Sequence, residues 1–136
     1  MPAQSSKKPL IEKLGIKPNL TIFILNPPED YVKALGQLPH RVRLAKTIKG
    51  PLDFIHFFVK RKSELEKMFP LLTQKLQTNG VLWVSWSKAS ANVETDLDEN
   101  VVRKAGLENG LVDVKVVSVD EVWSGLKFVY RVKDRV

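Results

Sequence analysis

Seven residues with ligand-binding side chains are predicted to lie at one rim of a β-sheet, either after the ends of strands or in the turn of a terminal hairpin. Trp86, Ser87 and Lys88 place a ring, a hydroxyl and a cation directly after an apolar run that begins at Gly80. In an open α/β sheet the carboxyl ends of parallel strands lie at one rim, where ligands bind. The sequence therefore predicts a ligand site at this rim. Its candidate residues are Asn26, Lys60, Trp86, Ser87, Lys88, Trp123 and Ser124.

This constellation suits a planar anionic ligand, because tryptophan rings stack on planar groups and lysines attract negative charge. The alternative is structural. Both Trp86 and Trp123 would then pack the terminal hairpin and a neighbouring loop onto the sheet, as large aromatic residues often do. The residue types alone leave both interpretations open.

Other chemistry has less support. His40 lies in a predicted turn, and His56 lies within an apolar strand, where a hydrogen-bonded core histidine is expected. The chain has no cysteine, and its His, Asp and Glu residues lack metal-ligand spacing, so we expect no metal site. Asp120 and Glu121 are paired acids of the kind that turns favour. No catalytic residue is predicted.

Composition limits the function further. The chain has 136 residues, a net charge of +7 and a pI near 9.7. We expect residues 1–8 to form a flexible tail and residues 9–136 a single domain. The basic surface could attract nucleic acid, although a solvated surface explains it without a partner and no nucleic-acid motif is present. Without a secretory signal or a membrane-length apolar run, a cytoplasmic location is expected.

The pattern of elements predicts an α/β fold. Apolar runs indicate strands over residues 20–25, 41–46, 54–59, 80–88, 111–119 and 126–132, with helices between them. This alternation predicts a three-layer sandwich with a mostly parallel sheet of about six strands, helices on both faces and a C-terminal antiparallel hairpin. Mid-strand positions define the expected core, which comprises Phe23, Ile55, Phe57, Leu82, Val84 and Val114.

Capping residues, prolines and glycines predict where these elements begin and end. Pairs with capping-box spacing, Ser63/Glu66 and Asp96/Glu99, are expected to begin two helices. The first of these helices is expected to kink or restart at Pro70 and to end at residues 79–80, and Gly106 should terminate the second. The hairpin turn is placed at residues 120–125. The small polar loop over residues 87–95 is expected to be mobile.

Several segments resemble the class I S-adenosylmethionine-dependent methyltransferase fold. Residues 14–19 (LGIKPN) look like the entry to its first strand, residues 53–55 (DFI) like the start of its fourth, and residues 79–84 (NGVLWV) like its fifth. The closing hairpin looks like its reversed last strand. The interval between Lys46 and Asp53 is too short for the usual third strand, so the resemblance implies a reduced sheet without that region.

The chain is also similar to a family of small bacterial proteins of unknown function. The segments that carry this likeness are GVLWVSW (80–86), TDL (95–97), GLVDVK (110–115) and WSGLKFV (123–129). This second resemblance implies a fold and no chemistry.

Two features depart from the methyltransferase pattern. That family follows its first strand with a glycine-rich turn, because the backbone must pass close to the cofactor. Here the turn is NPPED (26–30), which lacks glycine. The family also binds ribose with an acid after its second strand, where this chain has Lys46-Thr47. We therefore expect no cofactor, and S-adenosylmethionine in particular is expected to bind weakly or not at all.

The sequence supports three functional hypotheses. The first is a non-catalytic, methyltransferase-like binding or protein-interaction module, whose partner would be an anionic small molecule or an acidic protein. The second is an atypical methyltransferase or another transferase working at the rim. The third is a basic protein associated with nucleic acid. A monomer and a homodimer both remain open, since an apolar hairpin edge could pair with a second copy.

Overall fold

The computed structural model describes residues 8–135. Helices and strands alternate along this part of the chain, and short 3-10 turns follow β4 and β6. The helices are α1 (Leu10–Leu14), α2 (Tyr31–Leu35), α3 (Lys62–Lys75) and α4 (Glu99–Glu108). The strands are β1 (Thr21–Leu25), β2 (Arg43–Leu44), β3 (Leu52–Phe58), β4 (Leu76–Ser87), β5 (Leu111–Ser118) and β6 (Trp123–Tyr130). All but the last residue of the predicted tail lies outside the described residues.

The strands form one sheet in the order β2-β1-β3-β4-β6-β5. Neighbours from β2 to β4 are parallel, and β6 returns antiparallel between β4 and β5. After β1 the chain crosses over to β2 on one side, and after β3 it crosses to β4 on the other. The direction of winding therefore reverses between β1 and β3. The predicted α/β fold, with a reduced six-stranded sheet and a C-terminal antiparallel hairpin, is confirmed.

The central strands are buried on both faces, as their continuous apolar sequences predict. On one face Ile55 of β3 and Leu82 of β4 pack with residues of α3 and α4. On the other face Phe58 and Trp83 pack with residues of α1 and α2. Two apolar cores, one on each side of the sheet, therefore hold the ends of β1 and β3 in place.

One predicted core residue is exposed. Val114 has 52% of its surface accessible, whereas the other five predicted core residues are buried. Val114 lies in β5, which is the edge strand of the sheet. The register between β5 and β6 shifts between Asp113 and Lys115. Consecutive residues 114–116 of β5 are exposed, so a mid-strand position does not imply burial in this edge strand.

The hairpin turn is shorter than predicted. β6 begins at Trp123, so the turn between β5 and β6 comprises residues 119–122 and does not extend to Gly125. Asp120 stabilises the turn because its Oδ1 accepts hydrogen bonds from the backbone N–H groups of Val122 and Trp123, each at 2.8 Å. Gly125 is a strand residue packed beneath Trp83, whose Cε3 would lie 3.2 Å from an added β-carbon.

The two predicted capping boxes are absent. α3 begins at Lys62, whose backbone N–H donates to the Asp96 carboxylate at 2.7 Å. The first turn of α3 is thus capped by a residue 34 positions away in sequence. α4 begins after Asp98, whose side chain accepts a hydrogen bond from the Val101 N–H at 2.9 Å.

Helix ends also differ from the prediction. α3 continues through Pro70 to Lys75, and β4 follows directly at Leu76 because that residue pairs with Leu52 of β3. α4 passes through Gly106 and ends at Glu108. Gly106 serves close packing here: an added β-carbon would stand 2.0 Å from Cε1 of Phe128. Its missing side chain lets the helix lie against β6.

No helix among residues 8–135 is both long and apolar enough to cross a membrane.

Candidate functional site

A cleft opens at the carboxyl ends of β1 and β3, where the winding of the sheet reverses. Such a switch point is the usual ligand position in open α/β sheets. The cleft has a volume of about 530 Å³, within the range of roughly 300–1,000 Å³ that is typical of small-molecule sites. We call it the switch-point cleft. Its lining residues are Asn26, Pro27, Pro28, Phe58, Val59, Lys60, Arg61, Glu64 and Trp123.

The turn after β1 forms one wall of the switch-point cleft. Asn26 adopts the left-handed backbone conformation, with φ at 57°. Asparagine tolerates this conformation better than most residues other than glycine. The Asn26 side chain crosses to α3, where Nδ2 donates to Glu64 Oε2 at 2.9 Å. This bond ties the turn after β1 to the first helical turns after β3.

On the other side of the cleft, a three-residue segment bonds to the residues that follow β3. Glu94 forms an ion pair with Arg61 at 3.0 Å, the Thr95 hydroxyl donates to the Lys60 carbonyl at 2.6 Å, and Asp96 accepts from the Lys62 N–H. We call residues 94–96 the strap. Residues 94 and 95 belong to the loop that was predicted to be mobile, and the strap as a whole is bonded to residues 60–62, which follow β3.

The inner wall is aromatic. Trp123 is buried, and its ring meets Phe58 edge to face with the ring centroids 5.2 Å apart. Both residues line the cleft. Because Phe58 is the last residue of β3 and Trp123 is the first of β6, the wall depends on strands that are not neighbours in the sheet.

The structure brings together three of the seven predicted site residues. Asn26, Lys60 and Trp123 all line the switch-point cleft. Trp86 lies at the same end of the sheet as Trp123 but packs in the core on the opposite face. The two rings therefore cannot sandwich one ligand.

The other three predicted residues do not line this cleft. Ser87 is the cross-strand neighbour of Trp123, and its buried hydroxyl has no hydrogen-bond partner among the described residues. Lys88 directs its ammonium to the Ser118 hydroxyl at 2.6 Å. Ser124 pairs with Trp86 across the strands. Binding of a ligand at the predicted rim stays a prediction for all seven residues.

Sequence reasoning missed a buried polar network that lies next to the cleft. His56 shares hydrogen bonds with the Tyr31 hydroxyl through Nδ1 and with the Ser85 hydroxyl through Nε2, each at 2.7 Å. Burial lowers the pKa of His56 from 6.5 to about 3, and burial also raises the pKa of Tyr31. A neutral histidine satisfies both hydroxyls. His56 was predicted to be a hydrogen-bonded core residue, but its partners come from distant segments that the sequence does not connect.

Within residues 8–135 no three His, Asp or Glu side chains are grouped so that they could hold a metal ion. The cleft offers Glu64 as a carboxylate, and Lys60 and Arg61 as cations. It can therefore receive a ligand that carries both charge signs or many hydroxyl groups.

Solved structures of methyltransferases share this fold. Magnesium protoporphyrin IX methyltransferase from Synechocystis with bound S-adenosylmethionine aligns with a TM-score of 0.61 and 12% identity, over 90% of this chain and 74% of that one. Precorrin-6y C5,15-methyltransferase from Geobacter metallireducens aligns with a TM-score of 0.59 and 9% identity, over 96% of this chain and 90% of that one. Fibrillarin from Aeropyrum pernix with natively bound S-adenosylmethionine aligns with a TM-score of 0.58 and 12% identity, over 88% of this chain and 73% of that one.

The chain thus has the fold of class I S-adenosylmethionine-dependent methyltransferases. No protein-family model and no curated protein sequence matches it. At identities this low the likeness concerns the fold alone.

The expectation that excluded S-adenosylmethionine is wrong. The fold is shared with proteins solved with S-adenosylmethionine or S-adenosylhomocysteine bound. The expectation rested on two features, the lack of glycine after β1 and Lys46-Thr47 in place of a ribose-binding acid. Asn26 supplies the positive φ that glycine would supply, so the turn keeps a left-handed residue at that point.

Proposed function

We propose that this domain binds S-adenosylmethionine or its demethylated product S-adenosylhomocysteine in the switch-point cleft, and that it acts as a methyltransferase-like binding module. The observation that carries the proposal is the position of the cleft. It opens between the carboxyl ends of β1 and β3, at the reversal point of a fold that S-adenosylmethionine-binding proteins share.

The charges of the cleft support a zwitterionic ligand. The amino-acid end of S-adenosylhomocysteine carries an ammonium and a carboxylate, and its ribose carries two hydroxyls. Glu64 can accept hydrogen bonds from the ammonium or the hydroxyls, whereas Lys60 and Arg61 can donate to the carboxylate. This pairing also retains the anion-binding role expected for Lys60.

The apolar walls support a nucleoside base. Phe58 and Trp123 form an aromatic wall, and the rings of Pro27 and Pro28 add rigid apolar surface from the turn after β1. Ligand sites combine such apolar walls with a few polar groups that fix orientation. Phe58 and Trp123 are themselves buried, so a purine ring would pack against this wall and remove mainly the exposed proline surface from water.

Isothermal titration calorimetry with each of the two compounds tests the proposal. Glu64→Gln keeps the size of the side chain and removes its charge, so we expect roughly tenfold weaker binding, as for the loss of one charged hydrogen bond. Glu66→Gln is the matched control, because Glu66 lies on the same helix but does not line the cleft. Absence of heat with both compounds at millimolar concentration would refute the binding module, as would equal affinities of the two variants.

Methyl transfer is a second candidate function, and one observation favours it. Another cleft adjoins the first and shares Pro28 and Trp123 with it, so a second ligand can lie beside the first. Incubation with S-adenosylmethionine and candidate acceptors, followed by mass spectrometry, separates the two functions. Formation of S-adenosylhomocysteine in proportion to protein concentration would establish turnover, whereas binding without product would support the non-catalytic module.

A further inference from the structure

The adjoining cleft has a volume of about 430 Å³ and lies between three separate segments of the chain. One side is α1, another is the turn and first residues of α2, and the third is the turn between β5 and β6. The residues that line it are Leu10, Pro28, Glu29, Asp30, Tyr31, Ala34, Val119, Asp120, Glu121, Val122 and Trp123. Because it shares only Pro28 and Trp123 with the switch-point cleft, it forms a distinct compartment.

The walls of the adjoining cleft are apolar. Leu10, Ala34 and Val122 come from the three surrounding segments, and the inner side is closed by Tyr31 and Trp123. Val122 keeps 36% of its surface accessible. An organic group placed here would cover apolar surface that otherwise faces water, which favours binding in proportion to the area removed.

The rim of the same cleft is acidic. Glu29 and Asp30 stand on one side, and Asp120 and Glu121 stand on the other, all four of them exposed. The two pairs belong to turns about ninety residues apart in sequence, so the fold brings them together. Four of the chain's fifteen acidic residues thus surround one cleft, although the net charge of the protein is +7.

Within residues 8–135 no cationic side chain forms an ion pair with this rim. The ion pairs among the described residues join Arg61 to Glu94 and Arg103 to Glu99 and Asp113. Two lysines approach the β5–β6 turn, but both ammonium groups bond to Ser118: Lys13 to its carbonyl oxygen at 3.2 Å and Lys88 to its hydroxyl at 2.6 Å.

Asp120 uses one carboxylate oxygen to hold its own turn. Its second oxygen and the three other carboxylates have no hydrogen-bond donor among residues 8–135.

We propose that the adjoining cleft binds an organic cation, with the apolar body of a primary amine against the walls and the ammonium at the carboxylate rim. A cation between the two turns is attracted by carboxylates from both sides, and the apolar walls reduce its exposure to water and so strengthen that attraction. An anion of the same shape would meet like charge. The inference deepens the proposed function, since it names the class of second ligand that would lie beside the first.

Titration calorimetry with three compounds that share one body tests the chemistry. Phenethylamine is cationic, phenethyl alcohol is neutral and hydrocinnamate is anionic. We expect phenethylamine to bind more tightly than the alcohol, hydrocinnamate to bind weakest, and added salt to reduce the difference. Equal binding of the amine and the alcohol, or tighter binding of hydrocinnamate, would overturn the proposal.

Two variants locate the binding. The double variant Glu29→Gln/Glu121→Gln removes one charge from each side of the rim, and we expect phenethylamine to bind roughly three- to tenfold more weakly. Ala34→Trp should block the cleft, because Ala34 is exposed and lines it. Glu108→Gln is the control, since it removes an exposed charge from α4 outside both clefts. An unchanged affinity in the double variant and in Ala34→Trp would sink the proposal.

Each of the two proposals can be refuted without refuting the other. S-adenosylhomocysteine affinity is measured on the same variants, and the amine is measured on Glu64→Gln. If the unaltered protein binds phenethylamine but not S-adenosylhomocysteine, the proposed function is refuted and the cation site is retained. Loss of amine binding in Ala34→Trp with intact S-adenosylhomocysteine binding would support two distinct compartments.

Discussion

The hydroxyl of Tyr31 lies 2.7 Å from Nδ1 of His56, inside the core between the sheet and α2. The other ring nitrogen of His56 lies 2.7 Å from the Ser85 hydroxyl, so every polar atom of the ring has a partner. His56 also stacks on Phe58, with the centroids 4.1 Å apart. Tyr31 begins α2 and lines the adjoining cleft, so this network connects the centre of the sheet to the wall of a candidate site.

The network predicts a dependence of stability on pH. Burial lowers the pKa of His56 from 6.5 to about 3. Below pH 6.5 the unfolded chain binds a proton that the folded chain does not bind, so stability is complete above that pH and falls as the pH decreases toward 3. Within this window the expected loss for each pH unit is on the order of 1 kcal/mol. Urea denaturation at a series of pH values measures it.

The His56→Gln variant separates this effect from the carboxylates, which also titrate at low pH. Glutamine can bond to both hydroxyls but does not titrate, so the variant should be less stable near pH 7 and its stability should depend less steeply on pH between 6.5 and 4. Parallel pH profiles for the two proteins would show that His56 titrates normally and that the network does not keep it neutral.

A second prediction concerns the centre of the sheet. Leu82 is fully buried between β3 and β6, and truncation to alanine should cost about 2–5 kcal/mol of unfolding free energy. Val114→Ala is the matched control, since Val114 is half exposed on the edge strand and its truncation should change stability by about 0.5 kcal/mol or less. Chemical denaturation of the two variants measures the difference; similar losses would contradict the assigned cores.

These two residues show how much of the fold the sequence contains. Continuous apolar runs identify β1, β3 and β4 because strands covered on both faces have no polar side. Val114 was misplaced because β5 is an edge strand with an exposed middle, and the local pattern does not encode the position of a strand in the sheet. The start of α3 was predicted wrongly for a related reason, since its cap is Asp96, a residue contributed by another segment of the chain.

The candidate site, like the fold, could be predicted from the sequence only in part. The ends of strands are visible in sequence, so Asn26 and Lys60 were found. The sequence does not show on which face of the sheet each hairpin side chain lies, because that depends on where β6 begins. Ser87 pairs with Trp123 in the observed register, which sets Trp86 on the other face. The acidic rim was missed as well, since Glu29 and Glu121 were each interpreted as members of separate turns.

A third prediction concerns the two acids near the strap. Asp96 accepts from the Lys62 N–H at the start of α3, and Asp98 accepts from the Val101 N–H at the start of α4. Each alanine variant should cost about 0.5–2 kcal/mol, as for loss of a helix cap. The two variants should act on different helices. Asp96→Ala should speed hydrogen exchange at Lys62 and Asp98→Ala at Val101, and each variant is the control for the other.

Exchange measured by NMR at individual amides distinguishes the two effects. A faster rate at Lys62 in both variants would mean that the region over residues 94–98 is loosened as a whole. Unchanged exchange at Lys62 in Asp96→Ala would mean that the strap does not cap α3 in solution.

The last prediction uses the separation of the tryptophans. Trp123 lines both clefts, whereas Trp86 packs on the opposite face and Trp83 is fully buried with its Nε1 donating to the Leu14 carbonyl at 2.9 Å. A variant that retains only Trp123, made by Trp83→Phe and Trp86→Phe, should change its fluorescence when S-adenosylhomocysteine binds. A variant that retains only Trp86 should change little, because a sheet separates it from the ligand. A ligand response confined to Trp86 would move the site to the α3–α4 face and would contradict the assignment of the switch-point cleft.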